Sequence, residues 1–148
     1  MDDKHYLLFK LSDKVFAIPS DSVLEVGPTD NISRIPFGRE PVTKTLNHNG
    51  RVLPLLDLGS ILNIAKNKDA ENFITLEGRG YNISLSVNDI IGFAKSEKTL
   101  TGELPDFIGS IIKVKGSRAY LLNIEKILAE TEKLFYGGNN DEKDTHSG

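Results

Sequence analysis

Residues 11–26 read LSDKVFAIPSDSVLEV, and residues 78–93, which read GRGYNISLSVNDIIGF, place apolar side chains at the same spacing 67 positions later. The polar residues of the two stretches differ. Phe16, Ile18, Val23, Leu24 and Val26 correspond in this way to Ile83, Leu85, Ile90, Ile91 and Phe93. Since a repeat retains the residues that packing requires, the pattern predicts two pseudo-symmetric β units.

A second pair of segments extends the repeat. Residues 50–62 read GRVLPLLDLGSIL and return 66 positions later as GSRAYLLNIEKIL at 116–128. Asp57 in the first segment becomes Asn123 in the second. An Asp that exchanges with Asn at the end of a strand is typical of a helix-capping residue. No G-x-S-x-G motif supports a catalytic role for Asp57 with His48 and Ser60.

The strand pattern predicts five short strands in each half. In the first half they comprise a hairpin turning at Ser12-Asp13, a strand near 23–26, and a second hairpin that turns at 47–50. Residues 27–41, rich in proline and glycine, read as a long irregular connection. An amphipathic helix is predicted over 125–135, where apolar residues recur at helical spacing before Gly137.

Half of this chain would be too small to bury a robust core, so the halves are expected to share one. We therefore predict a single domain over 1–136. Its two subdomains would cover about 5–66 and 71–136, with the crossover near 65–72, and residues 137–148 would form a disordered tail.

Composition excludes several classes of function. The 148 residues contain no cysteine and carry a net charge of −3, and the three histidines lack metal-ligand spacing. His48 reads as a solvated turn residue, and Gly78-Arg79-Gly80 reads as a hairpin turn rather than a phosphate loop. We expect no cofactor, no metal, no nucleic-acid partner and no membrane insertion. The acidic N-terminus favours the cytoplasm.

Several segments resemble, in order and spacing, the bacterial chemotaxis coupling protein family CheW. The resemblance covers about residues 5–136. The segments that carry it are Tyr6–Leu11, Phe16–Pro19, Val23–Val26, Ile35-Pro36, Asn47 with Gly50, Val52–Leu58, Ile83–Ile90 and Leu121–Leu128. It implies two five-stranded SH3-like β-barrels that share a core, with a short C-terminal helix.

The resemblance also implies a function. Members of the family are adaptors without catalysis that link chemoreceptor cytoplasmic tips to the regulatory domain of a CheA-type histidine kinase in membrane-associated arrays. A different hypothesis stays open, in which the same fold tethers or localises another protein without binding the kinase.

The resemblance points to six partner-binding residues, which are Val23, Glu25, Asn47, Asn49, Ile90 and Phe107. Asn49 occupies the position of a family arginine that is thought to pair with the glutamate matched by Glu25. Without that arginine, Glu25 should be exposed or have a substitute partner, with Arg51 the first candidate and Lys44 the second. For Phe107 two alternatives stay open: it contacts a partner, or its ring packs on its own barrel.

Overall fold

This computed structural model describes residues 4–39, 41–64, 70–78, 80–100 and 102–133. The described part contains twelve strands, two short α-helices and one turn of 3-10 helix at Ser20–Ser22. The first half contains β1 His5–Leu11, β2 Lys14–Pro19, β3 Val23–Pro28, β4 Ile32–Arg39, β5 Val42–His48, β6 Arg51–Asp57 and α1 Leu58–Leu62. The second half contains β7 Asn72–Glu77, β8 Asn82–Val87, β9 Asp89–Lys95, β10 Lys98–Leu100, β11 Ile108–Val114, β12 Ser117–Leu122 and α2 Ile124–Glu132.

The strands form two six-stranded sheets. Sheet 1 has the order β10-β11-β12-β2-β1-β9, and sheet 2 has the order β3-β7-β8-β6-β5-β4. Adding or subtracting six from each strand number converts one order into the other, so the sheets are related by the repeat. The hairpin β1–β2 of the first half lies in sheet 1 with strands of the second half, and the hairpin β7–β8 lies in sheet 2. The two halves have exchanged their N-terminal hairpins.

The predicted fold class is confirmed, because the described part is mostly β, has two pseudo-symmetric units, and has a short helix after its last strand. Each unit has six strands where five were expected. The additional strands are β4, inside the connection that reads as irregular, and β10, inside the polar loop before Pro105. β4 is the last strand of sheet 2, and such an edge strand tolerates Pro36, which has no N–H to donate.

Turns and caps follow the predicted chemistry. Asn49 (φ 54°) and Gly50 (φ 78°) form the two-residue turn between β5 and β6, and both left-handed residues match a type I′ hairpin. The side chain of Asp57 accepts a hydrogen bond from Ser60 N (3.3 Å), and that of Asn123 accepts one from Lys126 N (3.1 Å). The capping interpretation is therefore confirmed. The last predicted helical residues, 134 and 135, lie outside the described residues.

The main core lies between the two sheets and draws residues from both. Its largest fully buried side chains include Phe9, Ile18, Leu56, Leu58, Ile74, Ile83 and Leu85. Each sheet also contributes a smaller buried cluster of its own. Leu46, Leu55 and Phe73 form that cluster in sheet 2, and their repeat equivalents in sheet 1 are Ile112, Leu121 and Tyr6. The division into subdomains stays a prediction, and its crossover falls largely on residues 65–69, which are outside the described part.

The exchanged hairpins predict that residues 1–67 do not fold alone. In that fragment β6 loses β8, β3 loses β7, and β2 loses β12, so no backbone pairing joins the first hairpin to the other strands. We expect no cooperative thermal transition by circular dichroism, whereas the full chain should show one. A sharp transition from the fragment would contradict the shared fold.

Two core leucines provide a test of the packing. Leu55 (5% exposed) and Leu122 (3% exposed) should each lose about 2 to 5 kcal/mol of unfolding free energy when replaced by alanine. The control is Val52→Ala on the same strand as Leu55, because Val52 is 62% exposed and should lose less than about 1 kcal/mol. Urea denaturation measures all three, and equal losses would contradict the assigned strand faces.

Candidate partner-binding surface

A β-bulge sets which way the residues of β3 face. Val23 pairs with Leu76 but Glu25 pairs with Thr75, so Leu24 is the extra residue of the strand. Val23 consequently packs against the main core, while Leu24 is 49% exposed. After the bulge, Glu25 lies on the face of sheet 2 that carries Phe73. An exposed carboxylate is thereby placed at the rim of the curled sheet.

Glu25 has a partner from the far side of sheet 2. The ring of His48, at the end of β5, contacts the Glu25 carboxylate through Nε2. The same ring packs on Phe73, with centroids 5.2 Å apart and an angle of 59° between the planes. β3 and β5 are the first and fifth strands in the order of sheet 2, so the contact bridges a sheet that curls back on itself.

We call Glu25, His48 and Asn49 the corner patch. The side chains of Glu25 and His48 are 44% and 34% exposed, so both reach solvent. A contact between side chains this exposed contributes about 0 to 1 kcal/mol to stability, because water screens it. The corner patch therefore places a carboxylate and an imidazole at the surface and contributes little to the stability of the fold.

The expectation for Glu25 is met on both counts, since it is exposed and has a substitute partner. That partner is His48, whereas Arg51 and Lys44 make no ion pair with Glu25 within the described residues. The interpretation of His48 as a solvated turn residue is wrong, because β5 extends through it. Its position two residues after the buried Leu46 is the signal that could have found it, since alternate residues of a strand share a face.

The other asparagine of the predicted set lies elsewhere. Asn47 is exposed and neighbours His48 in β5, so it faces the opposite side of the strand. Its backbone N–H donates to Asn31 O (3.0 Å). Asn49 lies in the exposed turn one residue after His48. The structure thus brings Glu25 and His48 together and leaves Asn47 on another face.

The repeat provides an internal comparison for the corner patch. The positions of Glu25 and His48 are occupied in sheet 1 by Gly92 and by Val114, which is buried. The same strands therefore form with residues that have no polar side chain at these positions. The polar pair is thus present in only one of the two equivalent sheets, and packing does not require it.

Ile90 is the repeat equivalent of Val23 and pairs with Phe9 in sheet 1. It is half-buried against the main core, so its position resembles that of Val23. The more exposed residues of this strand are its neighbours Ile91 (51%) and Phe93 (58%). β9 has a bulge at Ile91, just as β3 has one at Leu24. The sequence aligned these residues but did not indicate that bulges would expose them.

Phe107 is fixed against its own domain. Its ring is half-buried against the main core, and Lys126 Nζ lies 5.6 Å from the ring centroid. Lys126 Nζ also contacts the Asp106 carboxylate (2.8 Å), and Phe107 O accepts a hydrogen bond from Asn123 N (2.7 Å). Of the two open alternatives the ring therefore adopts the packed one, and a partner contact by its exposed part stays a prediction.

Replacing Phe107 tests whether its ring supports the core. Phe107→Ala should lower the free energy of unfolding by about 2 kcal/mol because it removes a half-buried ring, and Phe107→Leu should lower it by less. Chemical denaturation measures both losses. If alanine leaves stability unchanged, the ring does not support the core.

A cleft of about 430 Å³ lies where β2, β7 and β12 meet the start of α2. The side chains that line it include Pro19, Glu77, Leu122, Asn123 and Leu128. Its polar groups comprise carboxylates, hydroxyls and one amide, and the lining contains no histidine or lysine.

The fold and surface described above define a β-structured interaction module, with two equivalent edge strands that carry different side chains. The family model of the CheW-like domain matches residues 5–132 of this chain. This chain belongs to the CheW-like domain family.

Among solved structures, the chain is similar to the scaffolding protein TtCheW from Thermoanaerobacter tengcongensis. The TM-score is 0.74 at 19% sequence identity, with 83% of this chain and 86% of that chain covered. At this identity the similarity concerns the fold. No curated protein shows a significant match. Within the described ranges, no helix has the length and apolar character needed to cross a membrane.

Proposed function

We propose that this chain is a non-catalytic coupling protein of a chemotaxis pathway. It links the cytoplasmic tip of a chemoreceptor to the regulatory domain of a CheA-type histidine kinase. The observation that carries this proposal is the match of the CheW-like domain over residues 5–132, which includes all twelve described strands.

Two edge strands support this proposal, since a coupling protein needs two separate surfaces. The edge strands β3 and β9 are repeat equivalents in different sheets. β3 exposes Leu24 and Val26, and β9 exposes Ile91 and Phe93. Apolar side chains exposed in this way are typical of protein interaction sites. The corner patch adds charge to only one of the two edges, so different partners can be distinguished.

Binding of these partners would place the chain in the cytoplasm, beside membrane-bound receptor arrays. Its contribution there is to hold the two partners at a fixed distance and orientation.

One observation favours a second function. Asn49 replaces the motif arginine at the corner patch, so the charge that a kinase or receptor would meet there differs from the family pattern. A domain that tethers or localises another protein, without binding the kinase, fits this departure.

Calorimetric titration of the full chain with the kinase regulatory domain and with the receptor tip, both from the same genome, tests the proposal. We expect saturable binding to each partner, and binding of the second partner in the presence of the first. Absence of binding to both would refute the coupling function and favour the tethering one.

Restoring the motif arginine tests the corner patch directly. Asn49→Arg should change the affinity for one of the two partners about tenfold, which is about 1.4 kcal/mol, because it adds a charge beside Glu25 and His48. It should also cost about 1 kcal/mol of stability, because position 49 has left-handed backbone (φ 54°) that suits asparagine.

The matched control is Lys115→Arg, at the equivalent turn position of sheet 1, where φ is 51°. That change conserves charge and should leave both affinities unaltered. If Asn49→Arg also leaves both unaltered, position 49 is not part of the functional surface.

A further inference from the structure

We propose that His48 is a positioning residue, which holds the Glu25 carboxylate in place to receive a cationic side chain, arginine or lysine, of a partner protein. The inference rests on the proposed function, because it takes the corner patch as part of a partner surface. It adds the kind of partner group that this surface would bind.

The geometry of the carboxylate carries the first step. His48 Nε2 contacts Glu25 Oε2, and Oε1 has no hydrogen-bond partner within the described residues. The Glu25 side chain is 44% exposed, so its second oxygen is accessible to another molecule. A carboxylate with one oxygen engaged and the other accessible can accept a charge-assisted hydrogen bond.

The ring of His48 is itself held in place. It packs on Phe73, a fully buried residue of β7, with 5.2 Å between centroids. Because Glu25 belongs to an edge strand with one backbone neighbour, β7, its side chain has few other restraints. His48 therefore restricts the rotamers of Glu25 before a partner arrives, which reduces the entropy lost on binding.

The surroundings of the pair favour a cation. On β7 the residues that pair with Glu25 and Gly27 are Thr75 and Phe73, and neither carries a charge. On β6 the residue that pairs with His48 is Arg51, which makes no ion pair with Glu25 within the described residues. Lys44 lies four residues back along β5. The carboxylate charge is thus not neutralised by a direct arginine or lysine contact inside the described chain.

An apolar side chain of the same strand adjoins this surface. Leu24, the extra residue of the bulge, precedes Glu25 and is 49% exposed, whereas Val26 faces the other side of the strand. The aliphatic stem of an arginine or lysine can lie on such a residue while its charged end reaches a carboxylate. The complementary partner surface would carry a basic residue next to apolar ones.

The repeat shows that the fold does not need this pair. Gly92 and Val114 occupy the equivalent positions of sheet 1, where the same strands and the same bulge form. Changes to Glu25 and His48 should consequently affect recognition more than folding.

The test uses three variants of the full chain, Glu25→Gln, His48→Ala and His48→Gln, titrated with the kinase regulatory domain and with the receptor tip. Glu25→Gln should weaken binding of one partner about tenfold, since it removes the charge. His48→Ala should weaken the same interaction about fivefold. His48→Gln should stay close to wild type at neutral pH, because its amide N–H can take the place of Nε2–H.

The matched control is Val52→Ala on the neighbouring strand β6. Val52 pairs with Asn47, on the face opposite to His48, and is 62% exposed, so its replacement should leave this interaction unchanged.

The outcomes separate this inference from the proposed function. If the wild type binds both partners and all three variants bind equally well, His48 has no positioning role although the coupling function stands. If His48→Gln is as weak as His48→Ala, the ring acts only by packing on Phe73, and the inference is wrong. If the wild type binds neither partner, the coupling function itself fails.

Discussion

The exchange of N-terminal hairpins is the constraint on which the rest of this structure depends. Parallel pairing of β2 with β12, in the register Phe16 to Tyr120, and of β8 with β6, in the register Ser84 to Leu55, completes each sheet with strands from the other half. Neither sheet can form without both halves of the chain. The edge strands β3 and β9 are therefore held in a fixed relation, because each is paired to a hairpin whose next neighbour belongs to the opposite half.

This constraint also explains how one small fold presents two different surfaces. The repeat fixes the backbone of both edges, including a bulge that exposes Leu24 in one and Ile91 in the other. The side chains on that backbone are free to diverge, since the core residues beneath them are shared. At equivalent positions, sheet 2 has the contact between Glu25 and His48, whereas sheet 1 has Gly92 and the buried Val114.

Much of the architecture could be predicted from the sequence, because the repeat retains what packing and turns require. The caps at Asp57 and Asn123 and the turn at 49–50 are local features with local chemical signals. The exchange of hairpins could not be predicted, since an alternating apolar pattern shows which face of a strand is buried but not which strand lies beside it. β4 was missed because proline and glycine obscured an edge strand. His48 was missed because the end of β5 was placed two residues too early, which moved the residue from a strand face into a turn.

The weakness of the Glu25–His48 contact makes it suitable for specificity rather than stability. The side chains of Glu25 and His48 are 44% and 34% exposed, so water screens their attraction. Losing such a contact leaves the shared core untouched, so the residues around it can change without unfolding the protein. The resemblance to the family implies an arginine at position 49, so Asn49, with His48 beside it as the group that contacts Glu25, is a change of this kind. The fold tolerates it because packing does not depend on that charge. Under the proposed function, a partner surface would have to match a carboxylate held by an imidazole instead of one paired with a guanidinium.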